Sequence, residues 1–167
     1  MRIIQLVVVV LVLAAGAAWT GIYNVSARVP HWTVTREAIE LVRDRSIVVQ
    51  SSRVKIPPID VAKLSVKGAS TYRELCSHCH GGQGVRAEPF AQGLNPDPAD
   101  LLSGLTQKEW KDHQLYWIID NGIKMTAMPS FDAVTNEQER LEIVAFLRRL
   151  PGMSPEEYKS LSGSEGQ

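Results

Sequence analysis

Five residues constrain this chain more than any others: Cys76-Ser77-His78-Cys79-His80, read as CSHCH. The C-x-x-C-H spacing is the attachment signature of c-type haem. Its two thiols can add across the two vinyl groups of the porphyrin, and the adjacent imidazole of His80 is then held under the iron as the proximal ligand. Other uses of such residues fit less well. A structural zinc site takes four ligands, usually as two separated pairs, whereas His31 and His113 stand alone in the sequence. A thioredoxin-like C-x-x-C follows a strand and opens a helix. Here a helical pattern precedes the motif, and Gly81, Gly82 and Gly84 follow it. A plain disulfide between Cys76 and Cys79 is the remaining alternative. His78, between the cysteines, reads as a solvent-facing spacer.

A haem iron in a carrier takes a second axial ligand. Downstream lies NGIKMTAMPSF, Asn121 to Phe131. A thioether is a soft, neutral ligand that raises the potential of the iron. Pro129 lacks an N–H and fixes its φ, which stiffens the loop that must hold the sulfur. Local rigidity therefore favours Met128 over Met125, which stays open as the alternative. Without the CSHCH motif both methionines would read as gap-filling core residues.

The segment from about Val61 to Leu150 resembles a class I cytochrome c domain, over a little more than half of the chain. Gly68 and Tyr72 stand before CSHCH where that family's first helix carries a glycine and an aromatic. NGIKMTAMPSF is similar to the family's methionine loop, and the resemblance implies Met128 as the axial ligand. RLEIVAFLRRLPGM resembles the closing helix, with Phe146 as the aromatic that packs near Gly68. The implied fold is all-α: a small helical domain around one covalent haem c, bound through Cys76 and Cys79 with His80 and Met128 on the iron. The resemblance also implies attachment of the haem outside the cytoplasmic membrane of a bacterium.

Residues Ile3 to Tyr23 form an apolar run of about twenty residues with one polar side chain, Gln5, near its start. That length crosses roughly 30 Å of hydrocarbon as a helix, and Trp19 and Tyr23 fall where an aromatic belt lies. A cleaved signal peptide is the rival, because Ala15-Gly16-Ala17 is a small-residue cleavage site. The run continues past that site to Ile22, which suits an anchor. Either reading exports the rest, and an anchor puts the haem domain on the periplasmic side of the inner membrane. The organisation expected is an anchor over 1–23, a juxtamembrane segment over 24–59, the haem domain over 60–152, and a short helix with a flexible tail over 153–167.

The juxtamembrane segment carries an amphipathic helix from Thr33 to about Gln50, with Val34, Ala38, Leu41 and Val42 at helical spacing. From Asn24 to Lys55 there are six basic residues against three acidic ones, in a chain whose formal net charge is zero. Such a helix can lie on anionic lipid or a partner subunit, or pack its apolar stripe on the haem domain. Ile56-Pro57-Pro58-Ile59 is a stiff spacer, and Asp60 is expected to cap a helix that ends near Leu75. The glycines after His80 are expected to hug the haem edge. A loop carbonyl, at Pro89 or Pro96, is expected to orient His80. A helix from Thr106 to about Asp120 is expected to open with the capping box Thr106-x-x-Glu109, and one from Asn136 to Arg149 to be capped by Thr135 with Gln138. Ser154-Pro155 is expected to start one short turn, with a disordered tail from Ser162.

About ninety residues in short helices and long loops make a thin core, so the domain is expected to fold poorly without its haem. With both axial positions filled, the iron offers no site for a small-molecule substrate. No paired carboxylates, nucleophile–base pair, phosphate loop or nucleic-acid motif is present. The sequence thus reads as a membrane-anchored periplasmic electron carrier, not an enzyme, working between redox protein partners. The alternatives are a haem subunit of a larger membrane-bound dehydrogenase or oxidase complex, and a haem enzyme or gas sensor with a displaceable methionine.

Overall fold

The computed structural model describes residues 2–163 and divides between His31 and Trp32 into two compact units. The first holds α1 (Arg2–Trp19), an unbroken apolar helix of 18 residues. It is long and apolar enough to cross a membrane, a property that anchors share with signal sequences. The helix stops at Trp19, so Tyr23 lies beyond it, stacked on His31 and hydrogen-bonded to its Nδ1.

The second unit is all-helical. Its elements are α2 (Thr33–Ser51), α3 (Val61–Leu75), the single turn α4 (Ser77–His80), α5 (Leu105–Glu109), α6 (Asp112–Asn121), α7 (Glu137–Arg149) and α8 (Pro155–Ser162), with 3₁₀ turns at Pro89–Gly93 and Leu150–Gly152. Among the described residues there is no strand, only one isolated bridge between Gly82 and Val85. Asp60 caps α3 as its side chain suggests, accepting from the Lys63 N–H at 3.1 Å.

The core is organised by the crossing of α3 and α7. At Gly68 the backbones come so close that a Cβ would stand 2.1 Å from the Glu142 carbonyl oxygen. This contact explains a glycine that otherwise costs a helix interior up to about 1 kcal/mol. Phe146 packs one turn further on, its ring centroid 5.0 Å from that of Tyr72. Tyr158 of α8 meets Tyr72 edge-on at 6.5 Å. These three rings are buried, as are Val144, Ala145 and Leu150. The last helix is therefore a core element of more than one turn, and Ser162 is buried in its final turn instead of starting a tail. The rest of the expected tail, 164–167, lies outside the described residues.

Two helix boundaries and one helix face differ from the sequence reading. The expected helix over 106–120 is broken at Trp110, which takes an extended conformation. The Thr106 hydroxyl does not cap it but donates to the Asp100 carbonyl at 2.9 Å. Arg148 of α7 holds the break: its guanidinium donates to the Trp110 carbonyl at 2.7 Å, to the Gln107 carbonyl, and to Asp112 at 2.6 Å. The cap of α7 is Asn136, not Thr135, in a reciprocal box with Glu139. Thr135 is occupied elsewhere, donating to the Phe131 carbonyl at 2.6 Å and accepting from Arg140. The stripe on α2 also shifts: Val34, Ala38, Leu41 and Val42 are exposed, and the helix packs on α6 near its C-terminal end, where Ile47 is buried.

Candidate haem site

The end of α3 delivers the CSHCH motif. Cys76 caps α3, and α4 is the single turn that follows, so Cys76, Cys79 and His80 are placed by one short stretch of backbone. The Tyr72 hydroxyl donates to the Gly81 carbonyl at 2.9 Å and ties the exit of that turn to α3. No disulfide joins Cys76 to Cys79. Burial, and next the neighbouring Cys79, pushes the Cys76 thiol up to about 12. His78 points to solvent.

His80 is oriented by the Ala99 carbonyl, 2.8 Å from its Nδ1. Neither Pro89 nor Pro96 makes this contact, because the turn after Pro98 brings the Ala99 carbonyl to the ring. Two N–H groups, of Leu102 at 2.8 Å and Ser103 at 3.1 Å, hold that turn through Asp100 Oδ1. Burial lowers the imidazole pKa, with the Ala99 hydrogen bond acting the other way. With Nδ1 turned to the Ala99 carbonyl, Nε2 is the ring nitrogen left for another partner.

The methionine loop is built to hold one sulfur inward. Gly122 has φ +66°, and a Cβ there would lie 2.5 Å from Pro129, so the loop closes on a residue that only glycine suits. Thr126 Oγ1 donates to the Ile123 carbonyl at 2.7 Å and accepts from the Met128 N–H at 3.1 Å. The Ser130 hydroxyl donates to the Asp120 carbonyl, and the Phe131 N–H to that of Ile119. Met128 is partly buried against the core, whereas Met125 stands on a left-handed residue and is 83% exposed.

Cys76, Cys79, His80 and Met128 line one cavity of about 240 Å³. Its wall is largely apolar, with Leu101, Leu115, Ile119 and Leu147 among the lining residues. Protein interiors leave few voids larger than a water molecule, so a hole of this size bordered by thiol, imidazole and thioether suits a large apolar body with an iron centre. Among the described residues no three His, Cys, Asp or Glu side chains gather to hold a metal ion alone.

The glycines after the motif do different work from that expected. None lines the cavity. Gly82 instead leaves room for the Tyr158 ring, which a Cβ would meet at 2.2 Å, and Gly84 lies against Pro155. Sequence reasoning also missed Arg43, Ile47 and Trp110, all of which border the cavity. The break at Trp110 carries no local sequence signal, since its stabilising partner, Arg148, is distant in the chain.

Residues 65–147 match the family model described as cytochrome c oxidase, cbb3-type, subunit III. Comparison with curated proteins gives no match. The matched segment begins within α3 and contains Gly68, the CSHCH motif, the Ala99 carbonyl, the methionine loop and Phe146. Residues 65–147 thus form a cytochrome c domain of the class I kind, and such a domain implies haem c.

Proposed function

We propose that this protein is a membrane-anchored, monohaem c-type cytochrome that passes single electrons between protein partners on the periplasmic side of the inner membrane. The observation that carries the reading is the convergence of Cys76, Cys79, His80 and Met128 on one apolar cavity. Haem c, when bound, supplies a one-electron iron couple. Cys76 and Cys79 would hold it through two thioether links. His80 would offer Nε2 to the iron because Ala99 occupies Nδ1, and Met128 would offer its sulfur from a loop pinned at Gly122, Thr126 and Ser130. With His80 and Met128 both held by the iron, the chain would leave no coordination site for a substrate, which suits a carrier and not an enzyme. The apolar lining keeps water from the metal, and the helix α1 serves as the anchor.

A second reading is favoured by the description of the matched family: the chain is the haem subunit of a larger membrane-bound oxidoreductase complex. Purification in mild detergent separates the two, since a complex subunit leaves the membrane with fixed companions.

The site is tested by acid–acetone extraction and by carbon monoxide. Haem stays with the denatured chain if both thioethers are present. Met128→Ala opens the iron to carbon monoxide in the reduced form and lowers the potential, whereas Met125→Ala changes little. Extraction of haem into the organic layer, or ready binding of carbon monoxide by the wild type, contradicts the reading.

A further inference from the structure

Arg43 lies outside the family-matched segment, in the middle of α2, the helix that the sequence leaves either on a lipid or partner surface or packed on the haem domain. It nevertheless lines the cavity, together with Ile47 one turn on, which is only 3% exposed. About a third of the Arg43 side chain is exposed, at 32%. The other charged side chains bordering the cavity are Asp97 and Glu109, both acidic and exposed. Arg43 is therefore the one permanent cation facing this apolar space among the described residues.

Its hydrogen bonding is half complete. Nε donates to Asp44 Oδ1 at 2.7 Å, which fixes the guanidinium from one edge. Among the described residues, Nη1 and Nη2 make no further ion pair. A planar guanidinium with an unused edge is shaped for bidentate binding of a carboxylate. With Nε on Asp44, Nη1 and Nη2 are the donors left to face solvent or a ligand's carboxylate. Haem carries two carboxylates.

We propose that Arg43 is the counter-ion of a haem carboxylate, which makes α2 part of the haem site. The proposal rests on haem c filling the cavity. Ile47 supplies the apolar seat, Asp44 aims the guanidinium, and Arg43 offsets a negative charge close to the iron. Loss of that positive charge leaves the carboxylate uncompensated and favours the oxidised iron.

The test is spectroelectrochemical titration of the full-length protein in detergent, with acid–acetone extraction on the same samples. The reduction potential is expected to fall in the order wild type, Arg43→Lys, Arg43→Gln, Arg43→Glu, with lysine keeping most of the wild-type value. All four proteins are expected to keep their haem. A potential unchanged in Arg43→Gln, or falling as far in Arg43→Lys as in Arg43→Gln, overturns the assignment of Arg43 while the haem reading stands. Haem extracted from the wild type overturns the haem reading itself.

Discussion

The two sides of the haem domain are held together by different means. On one side α3, α7 and α8 fill their own interior: backbone meets backbone at Gly68, and the rings of Tyr72, Phe146 and Tyr158 close the space behind it. On the other side, residues 94–131 form short helices and turns around a cavity. Side chain-to-backbone hydrogen bonds do much of the holding there, such as Thr106 to Asp100, Gln107 to Leu101 and Ser130 to Asp120. The lesson is physical. A loop-rich half with few interior side chains needs an apolar body from outside the chain, and the solid half gives that body a fixed wall. The CSHCH motif sits at the end of α3, where the two halves meet.

The contrast can be broken most severely at the helix crossing. Gly68→Ala puts a methyl group against the Glu142 backbone, which cannot give way without separating α3 from α7. We expect a loss of about 3 kcal/mol, the upper end of ordinary overpacking, read as a lower denaturant midpoint of the haem-loaded protein. An effect below about 1 kcal/mol would show that the crossing is looser than described.

A smaller loss is expected where the solid half grips the other. Arg148 reaches from α7 to the break between α5 and α6. Arg148→Met removes those charge-assisted bonds and leaves two carbonyls to water, for a cost of about 2 kcal/mol. Amide exchange is expected to quicken across 105–121 while α3 is unchanged. Equal quickening in α3 would mean that Arg148 serves the whole core.

The smallest effect is a pH dependence. Hydrogen bonds from the Ser103 hydroxyl and then the Leu102 N–H hold the Asp100 carboxyl below its usual value. A depressed carboxyl contributes stability that is present above its unfolded pKa and is lost as pH falls through the folded one. Asp100 is well exposed, so the contribution is slight. The wild type is expected to be marginally more stable than Asp100→Ala at neutral pH, with the difference vanishing in acid. Denaturant midpoints across the acid range check this, and a difference that grows in acid contradicts it.

How much could be read beforehand follows the same division. The solid half was legible because its signals are local: Asp60 caps α3, Gly68 marks a close approach, and the closing helix has a continuous apolar face. The motif was legible too, since Cys spacing is a feature of neighbouring residues, and so was a stiffened loop at Pro129, beside the Met128 that borders the cavity. What escaped depends on partners far away in the chain. The break at Trp110 needs Arg148, the orientation of His80 needs Ala99, and the glycines after the motif face α8. The role of Ile47 was hidden because the exposed stripe from Val34 to Val42 gives the stronger periodic signal on α2.

The central claim is that the half over 94–131 takes its order from the haem, whereas the crossing of α3 and α7 does not. Amide hydrogen exchange compared between the haem-loaded wild type and a Cys76→Ala/Cys79→Ala variant without haem measures this directly. The account predicts that protection collapses over 94–131 and that the slowest amides remaining are those of α3 and α7 around Gly68 and Glu142. Protection retained over 94–131 without haem, or lost to the same degree in both halves, would contradict it.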